Sequence, residues 1–149
     1  KPELVKQVEE WLGGHGDGLA ELSLSMGSDE FHHGKREEGR ARVMKVATEQ
    51  KGLQAAWAWE MLADFAWEEK EKEKAWEYLR KARGLREESL AEKSQFTYER
   101  RFRMGENLAR AMDWGDPDPK LKAELKRVVG LWPAWKLAER LEGIRVRGR

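Results

Sequence analysis

The sequence predicts an all-α fold, either a single-domain helical bundle or a short array of helical hairpins with seven to eight helices. Apolar residues recur at the three- and four-residue spacing of amphipathic helices over most of the chain. Short segments rich in Gly, Pro and Asp interrupt this pattern, as connections between helices do. Charged residues make up 38% of the chain but the formal net charge is only +1. Such a balance is typical of a helical surface with many ion pairs and argues against a disordered polyelectrolyte.

The N-terminal half contains four predicted helices, at 2–12, 19–26, 35–51 and 53–68. The second of them is ambiguous, because Leu22, Leu24 and Met26 alternate as in a strand. We favour a short helix there, since an isolated strand would have no pairing partner. "GSDEFHHG", at 27–34, is interpreted as a loop or a ragged helix start. The fourth helix is apolar almost all round, which is typical of a central buried helix.

The C-terminal half contains four more predicted helices, at 74–84, 86–113, 119–129 and 133–142. The charged run at 68–74 is interpreted as a turn followed by the first turn of the next helix. Gly84 is expected to cap the end of that helix. "GDPDP" is the clearest break in this half, because Asp118 can cap a helix whose first residue is Pro119.

The composition limits the class of protein. A length of 149 residues fits one domain, which we assign to 1–143, followed by a short basic tail at 144–149. The absence of cysteine excludes disulfides and thiol chemistry, and we expect a cytoplasmic location. No apolar run reaches the roughly 18 residues needed to span a membrane. Asn107 is the only asparagine, and with abundant Glu, Lys and Arg the composition is typical of thermophiles.

Four tryptophans fall within residues 55–79, at Trp57, Trp59, Trp67 and Trp76. They could form a stacking platform for a ligand or the core of a helical hairpin. We favour the core, because an aromatic stripe at helical spacing usually packs inward. Trp67 and Trp76 are the expected exceptions, since they flank the charged turn between the two helices.

The same segment carries a recognisable pattern of large and small residues. Trp59, Leu62, Ala63, Ala75, Leu79 and Ala82 are spaced so that large side chains of one helix meet small ones of the next. Over residues 56–87 this pattern resembles the tetratricopeptide repeat, with departures at Ala66, Leu79 and Glu87. The resemblance implies a protein–protein interaction scaffold that binds a peptide or helix on its concave face, and it does not imply an enzyme. A shift of 34 residues matches only Phe96 and Ala109 forward and Ala41 backward, so one repeat-like hairpin is expected.

The predicted helix 86–113 carries a candidate surface for binding a macromolecule. The residues Phe96, Arg100, Arg103, Asn107 and Arg110 lie within a stripe roughly 80° wide. Arginines beside an aromatic ring suit a phosphate backbone with stacked bases. The alternative is a solvated face paired with Glu99, Glu106 or the acidic N-terminal half, and we favour this alternative.

Arg101 lies on the apolar face of the same predicted helix, among Leu90, Leu108 and Met112. An arginine stem can extend across apolar surface, or the whole group can be buried against a carboxylate. We therefore expect a buried ion pair at Arg101, with an anion pocket as the alternative.

The sequence contains no convincing catalytic, cofactor or metal site. Asp29, His33 and Glu37 are spaced four apart, as metal ligands on one helix face would be, but Gly34 interrupts that helix. "GGHGDG", at 13–18, follows a helix, whereas a dinucleotide-binding loop follows a strand. We expect a non-enzymatic module without cofactor or metal whose partner is another protein. The alternative is a small nucleic-acid-binding subunit of a ribonucleoprotein or DNA-processing complex. Neither a membrane nor a small molecule is expected as partner.

Overall fold

The computed structural model of the chain describes residues 2–13, 18–92, 95 and 97–130. Within these residues the regular structure consists of seven helices and no strand, which confirms the all-α prediction. The helices are α1 (Pro2–Gly13), α2 (Gly18–His32), α3 (Arg36–Glu49), α4 (Gly52–Glu68), α5 (Lys72–Leu90), α6 (Thr97–Asp113) and α7 (Leu121–Val129). In the part of the chain described, no helix is both long and apolar enough to cross a bilayer.

Several of the predicted helix boundaries are wrong. Helix α2 extends into the predicted loop at 27–34 and ends at His32. Helix α5 continues past Gly84 to Leu90, and the backbone of that glycine does not adopt the left-handed conformation of a cap. The predicted helix 86–113 is therefore divided between α5 and α6. Helix α7 begins at Leu121 with Lys120 as its N-cap, two residues after the predicted start at 119. The predicted helix 133–142 and the basic tail lie outside the described residues, and the single-domain assignment stays a prediction.

Helices α2 to α7 form three consecutive hairpins, α2–α3, α4–α5 and α6–α7, and each hairpin also packs against the next. The first helix of each hairpin ends in the same turn, with one residue in the left-handed conformation. These residues are Gly34, Lys70 and Gly115, with φ of 93°, 63° and 75°. In each turn the following N–H donates to a carbonyl five residues earlier: Lys35 to Glu30 (2.8 Å), Glu71 to Ala66 (2.9 Å) and Asp116 to Ala111 (3.0 Å).

The first two hairpins are related by a shift of 36 residues. Helix α2 ends 36 residues before α4 does, and α3 begins 36 residues before α5 does. The buried residues Gly27, Gly39, Val43 and Val46 correspond in this way to Ala63, Ala75, Leu79 and Ala82. The pattern expected for one hairpin therefore occurs twice. A shift of 34 residues misses it because the repeat is two residues longer.

Small residues allow the two helices of the first hairpin to lie in contact. A Cβ atom on Gly39 would lie 2.5 Å from the carbonyl oxygen of Gly27 and 2.7 Å from the backbone nitrogen of Phe31. Only glycine leaves enough room for the backbones at this crossing. The corresponding residues of the second hairpin, Ala63 and Ala75, are both fully buried.

Helix α4 contributes to both hydrophobic clusters of the fold. One cluster joins it to α2 and α3 through Leu62 and Phe65, and the Phe65 ring stacks on Phe31 with centroids 3.9 Å apart. The other cluster joins α4 to α5, α6 and α7 through Ala63 and Ala66. This position confirms the prediction that α4 is the central buried helix.

The four tryptophans of residues 55–79 lie mainly at the edges of these clusters. The buried residues of α4 are alanines, leucine and phenylalanine, whereas Trp59, Trp67 and Trp76 are half-buried. Trp57 is 46% exposed, so the prediction that it belongs to the core is wrong. The buried alanines of α4 let neighbouring helices approach closely. The larger indole rings fill the space beside these helix–helix contacts.

The close crossing of α2 and α3 predicts an unequal response to two glycine substitutions. Gly39→Ala should destabilise the protein by about 1–3 kcal/mol, because its methyl group would overlap backbone atoms. Gly84→Ala, which adds a methyl group in open space within α5, should stabilise by up to about 1 kcal/mol. Urea unfolding followed by circular dichroism measures both. Equal stability of the two variants would contradict the observed crossing.

Candidate functional site

A groove of about 780 Å³ runs along α4, between α2 on one side and α6 on the other. Helices α2, α4 and α6 are the first helices of the three hairpins, so the hairpin repeat places them on one side of the fold. The polar lining on α4 comes from Glu60, Asp64 and Glu68, which recur at the four-residue spacing of one helix face. The groove is therefore a product of the repeated architecture.

One end of the groove is closed by aromatic side chains. Trp67 stacks on Trp114, with centroids 4.8 Å apart and planes 6° from parallel. The indole nitrogen of Trp76 donates to the backbone oxygen of Trp114 at 2.9 Å. Trp114 begins the turn after α6, so these contacts join the C-terminal ends of α4 and α6 near the start of α5.

The floor of the groove contains a buried polar network around Glu60. Its carboxylate accepts hydrogen bonds from Arg86 Nε and from Asn107 Nδ2, both at 2.8 Å. The Asn107 amide also donates to the Leu79 carbonyl at 3.1 Å and accepts from Arg83 at 3.0 Å. Side chains of α4, α5 and α6 thus share one set of hydrogen bonds, and a buried charge in such a set needs all its partners.

Asp64 lies one turn further along α4, beside Arg110 of α6. One Arg110 nitrogen donates to both carboxylate oxygens, at 3.2 and 3.5 Å. Desolvation raises the pKa of Asp64 to about 6. Arg110 opposes this rise, and the neighbouring carboxylates Glu60, Glu68 and Glu106 add to it. Asp64 is therefore a carboxylate that its surroundings make harder to ionise than one in water.

Apolar surface is exposed toward the N-terminal end of α4. Trp57 is 46% exposed and Leu53 is 37% exposed, and both line the groove. On the facing side, Arg103 of α6 pairs with Glu99 at 3.1 Å and with Glu106 at 3.5 Å. The groove thus combines an apolar rim with a charged wall.

The arginines of the stripe predicted on α6 bind groups of the same chain. Arg103 and Arg110 bind carboxylates of the groove, and Arg100 donates to the Ser89 carbonyl at 2.7 Å. Asn107 is only 2% exposed, so its assignment to a surface stripe is wrong. It faces inward because its amide completes the network around Glu60. Phe96 lies outside the described residues, and its role stays a prediction.

The structure shows a buried arginine–carboxylate pair at Arg86, whereas the sequence predicts one at Arg101. Arg101 is half-buried, and its assignment to an ion pair or anion pocket stays a prediction. Arg86 is 6% exposed and forms the buried pair with Glu60. Arg86 and Arg101 both interrupt apolar helix faces, and the sequence alone does not show which one faces a carboxylate.

The spaced residues Asp29, His33 and Glu37 do not share a helix. Asp29 lies in α2, His33 follows the end of α2, and Glu37 begins α3. The His33 ring nitrogen Nδ1 donates to the Asp29 backbone carbonyl at 2.7 Å, so it stabilises the helix end. Among the described residues, no three His, Asp or Glu side chains lie together so that they could hold a metal ion.

The sequence reasoning missed Glu60, Asp64 and Trp57 as groove residues, although a signal was present. Glu60 and Asp64 are the only charged residues in the apolar segment 53–67. They are four apart, and therefore on one face of the helix. Carboxylates on the inner face of a central helix indicate either buried ion pairs or a groove, and this chain has both.

Comparison of the chain with protein-family models, with curated proteins and with solved structures gave no match.

The buried pair in the groove floor predicts a large loss of stability when it is broken. Arg86→Met should lower the free energy of unfolding by about 3–5 kcal/mol, because it leaves the buried Glu60 carboxylate without its arginine partner. Arg127→Met is the matched control, since Arg127 pairs with Glu87 in solvent, and it should cost less than about 1 kcal/mol. Chemical denaturation measures both. Similar losses in the two variants would show that the Arg86 pair is not desolvated.

Asp64 predicts a specific dependence of stability on pH. Between its ordinary pKa of 3.8 and about 6, the folded protein binds more protons than the unfolded chain. The contribution of Asp64 is therefore fully present below 3.8 and is lost as pH rises through about 6. Relative to Asp64→Asn, the parent protein should lose stability from about pH 4 to about pH 7 and then stay level. Unfolding curves of both proteins across this range provide the test, and a constant difference would contradict the raised pKa.

Proposed function

We propose that this chain is an interaction module that binds another protein in the groove between α2, α4 and α6. The observation that carries the proposal is the exposed apolar rim formed by Leu53 and Trp57 inside that groove. Tryptophan is among the residues that most often anchor protein partners. The proposal includes the cytoplasmic location expected from the absence of cysteine.

The repeated hairpins support binding of a peptide or helix. Stacked hairpins present their first helices side by side, and such arrays generally bind extended partners along the resulting concave surface. The 36-residue correspondence between α2–α3 and α4–α5 adds to the likeness with tetratricopeptide repeats. On this proposal, the partner lies along α4 and contacts α2 and α6 on either side.

The contacts of the charged groups favour binding of protein over binding of nucleic acid. Arg86, Arg103 and Arg110 each donate to a carboxylate of the same chain. Phosphates would have to displace those carboxylates, and the nearby Glu60 and Asp64 would repel them.

Selection from a phage-displayed library of random peptides tests this function. Enriched peptides should compete with one another and should bind Trp57→Ala at least about tenfold more weakly, because Trp57 anchors them. Trp11→Ala is the matched control, since Trp11 is an exposed indole of α1, and it should leave binding unchanged.

Two results would contradict the proposed function. One is the absence of any enriched peptide, and the other is enrichment of peptides that bind Trp57→Ala as tightly as the parent protein. Saturable, salt-sensitive binding of labelled single-stranded RNA or DNA, lost in Trp57→Ala, would instead assign the groove to nucleic acid.

A further inference from the structure

We propose that the groove selects a basic segment of its partner protein, with an apolar side chain on Trp57 and Leu53 and a lysine or arginine beside Asp64 and Glu68. This inference rests on the proposed function and adds the chemistry of the partner. It joins two parts of one groove, the apolar rim at Leu53 and Trp57 and the carboxylates of Asp64 and Glu68 on α4.

The charge in the groove favours a cationic partner. Among the described residues that line it, the acidic side chains are Glu60, Asp64, Glu68, Glu99 and Glu106, and the basic ones are Arg86, Arg103, Arg110 and His32. The acidic groups outnumber the basic ones even when the histidine is counted as positive. Bringing a cation into such a groove is favourable, whereas an acidic segment would be repelled.

Three of these carboxylates retain access to a partner. About half of the side-chain surface of Asp64, Glu68 and Glu99 is exposed. An ionised carboxylate has about four acceptor positions. Asp64 receives only a single arginine nitrogen, which is shared between its two oxygens. Acceptor positions on these groups therefore remain for lysine or arginine donors.

The desolvation of Asp64 supports the same partner chemistry. Its pKa is raised to about 6, chiefly by desolvation; Arg110 opposes the rise, and Glu60, Glu68 and Glu106 add to it. A cation placed beside Asp64 would stabilise the ionised form and bring the pKa down again.

The spacing along α4 defines the pattern that a partner should carry. Trp57 and Asp64 are seven residues apart, which corresponds to about 10 Å along the helix axis. Three residues of extended chain span about the same distance. We therefore expect the apolar anchor and the basic residue to be separated by about three residues in an extended partner.

Fluorescence anisotropy with designed peptides tests the inference. The probes are three fluorescein-labelled peptides with the same leucine and phenylalanine anchors, and with lysine, glutamine or glutamate at the spaced positions. The lysine peptide should bind about tenfold more tightly than the glutamine peptide, and the glutamate peptide should bind most weakly. The double variant Asp64→Asn with Glu68→Gln should remove the preference for lysine, so that the lysine and glutamine peptides bind it with equal affinity.

A matched variant and a charge reversal complete the design. Glu77→Gln removes a carboxylate from an exposed position on α5 and should not change binding of the lysine peptide. Asp64→Lys with Glu68→Lys should reverse the order, so that the glutamate peptide binds more tightly than the lysine peptide. Circular dichroism of each variant confirms that the helices are retained.

The outcomes separate this inference from the proposed function. Equal binding of the lysine and glutamine peptides, with both weakened by Trp57→Ala, would overturn the basic preference and leave the groove as a peptide site. No saturable binding of any of the three peptides would overturn both proposals. Self-association of the chain that Trp57→Ala abolishes and that the lysine peptide does not inhibit would assign the groove to a second copy, and would also overturn the inference.

Discussion

The carboxylate of Glu60 projects from a helix that is otherwise almost entirely apolar, and the packing of three helices depends on how it is neutralised. Arg86 of α5 and Asn107 of α6 both donate to it. Asn107 also receives a hydrogen bond from Arg83. Each partner comes from a different position in the chain, so the pairing sets the relative placement of α4, α5 and α6. A network of this kind is stable only when every member is present, because an unpaired buried charge is costly.

Contacts between α4 and α6 account for the form of the groove. Within the hairpins, small residues such as Gly39 and Ala75 allow the two helices to pack closely. Between the first helices of successive hairpins, the contacts are made instead by charged and aromatic side chains, such as Asp64 with Arg110 and Trp67 with Trp114. These longer side chains hold α4 and α6 further apart, and the space between them is the groove.

Much of the fold was predictable from local patterns, whereas the repeat and the site were less so. The helical period, the break at "GDPDP" and the turn after α4 are local features, and they were placed correctly. A period of 34 residues does not match the repeat, because turn geometry and close helix contact recur at 36 residues. The predicted end of α5 at Gly84 is wrong, because a glycine ends a helix only where the chain turns away. Beyond Gly84, Arg86 pairs with Glu60 of α4 and Leu90 packs against the cluster of α4 to α7, so the helix continues.

By itself, the sequence determined that this protein is helical, that α4 is its centre and that many of its charges are paired. These properties follow from the period and composition of segments shorter than one hairpin. Only the tertiary structure decided which charges meet. Asn107 and Arg110 lie on the same predicted stripe, yet one is buried beside Glu60 and the other binds Asp64 in the groove. The physical reason is that their partners lie more than forty residues away on α4. The position of α4 beside α6 is set by helix α5, which packs against both, and not by the residues near them in sequence.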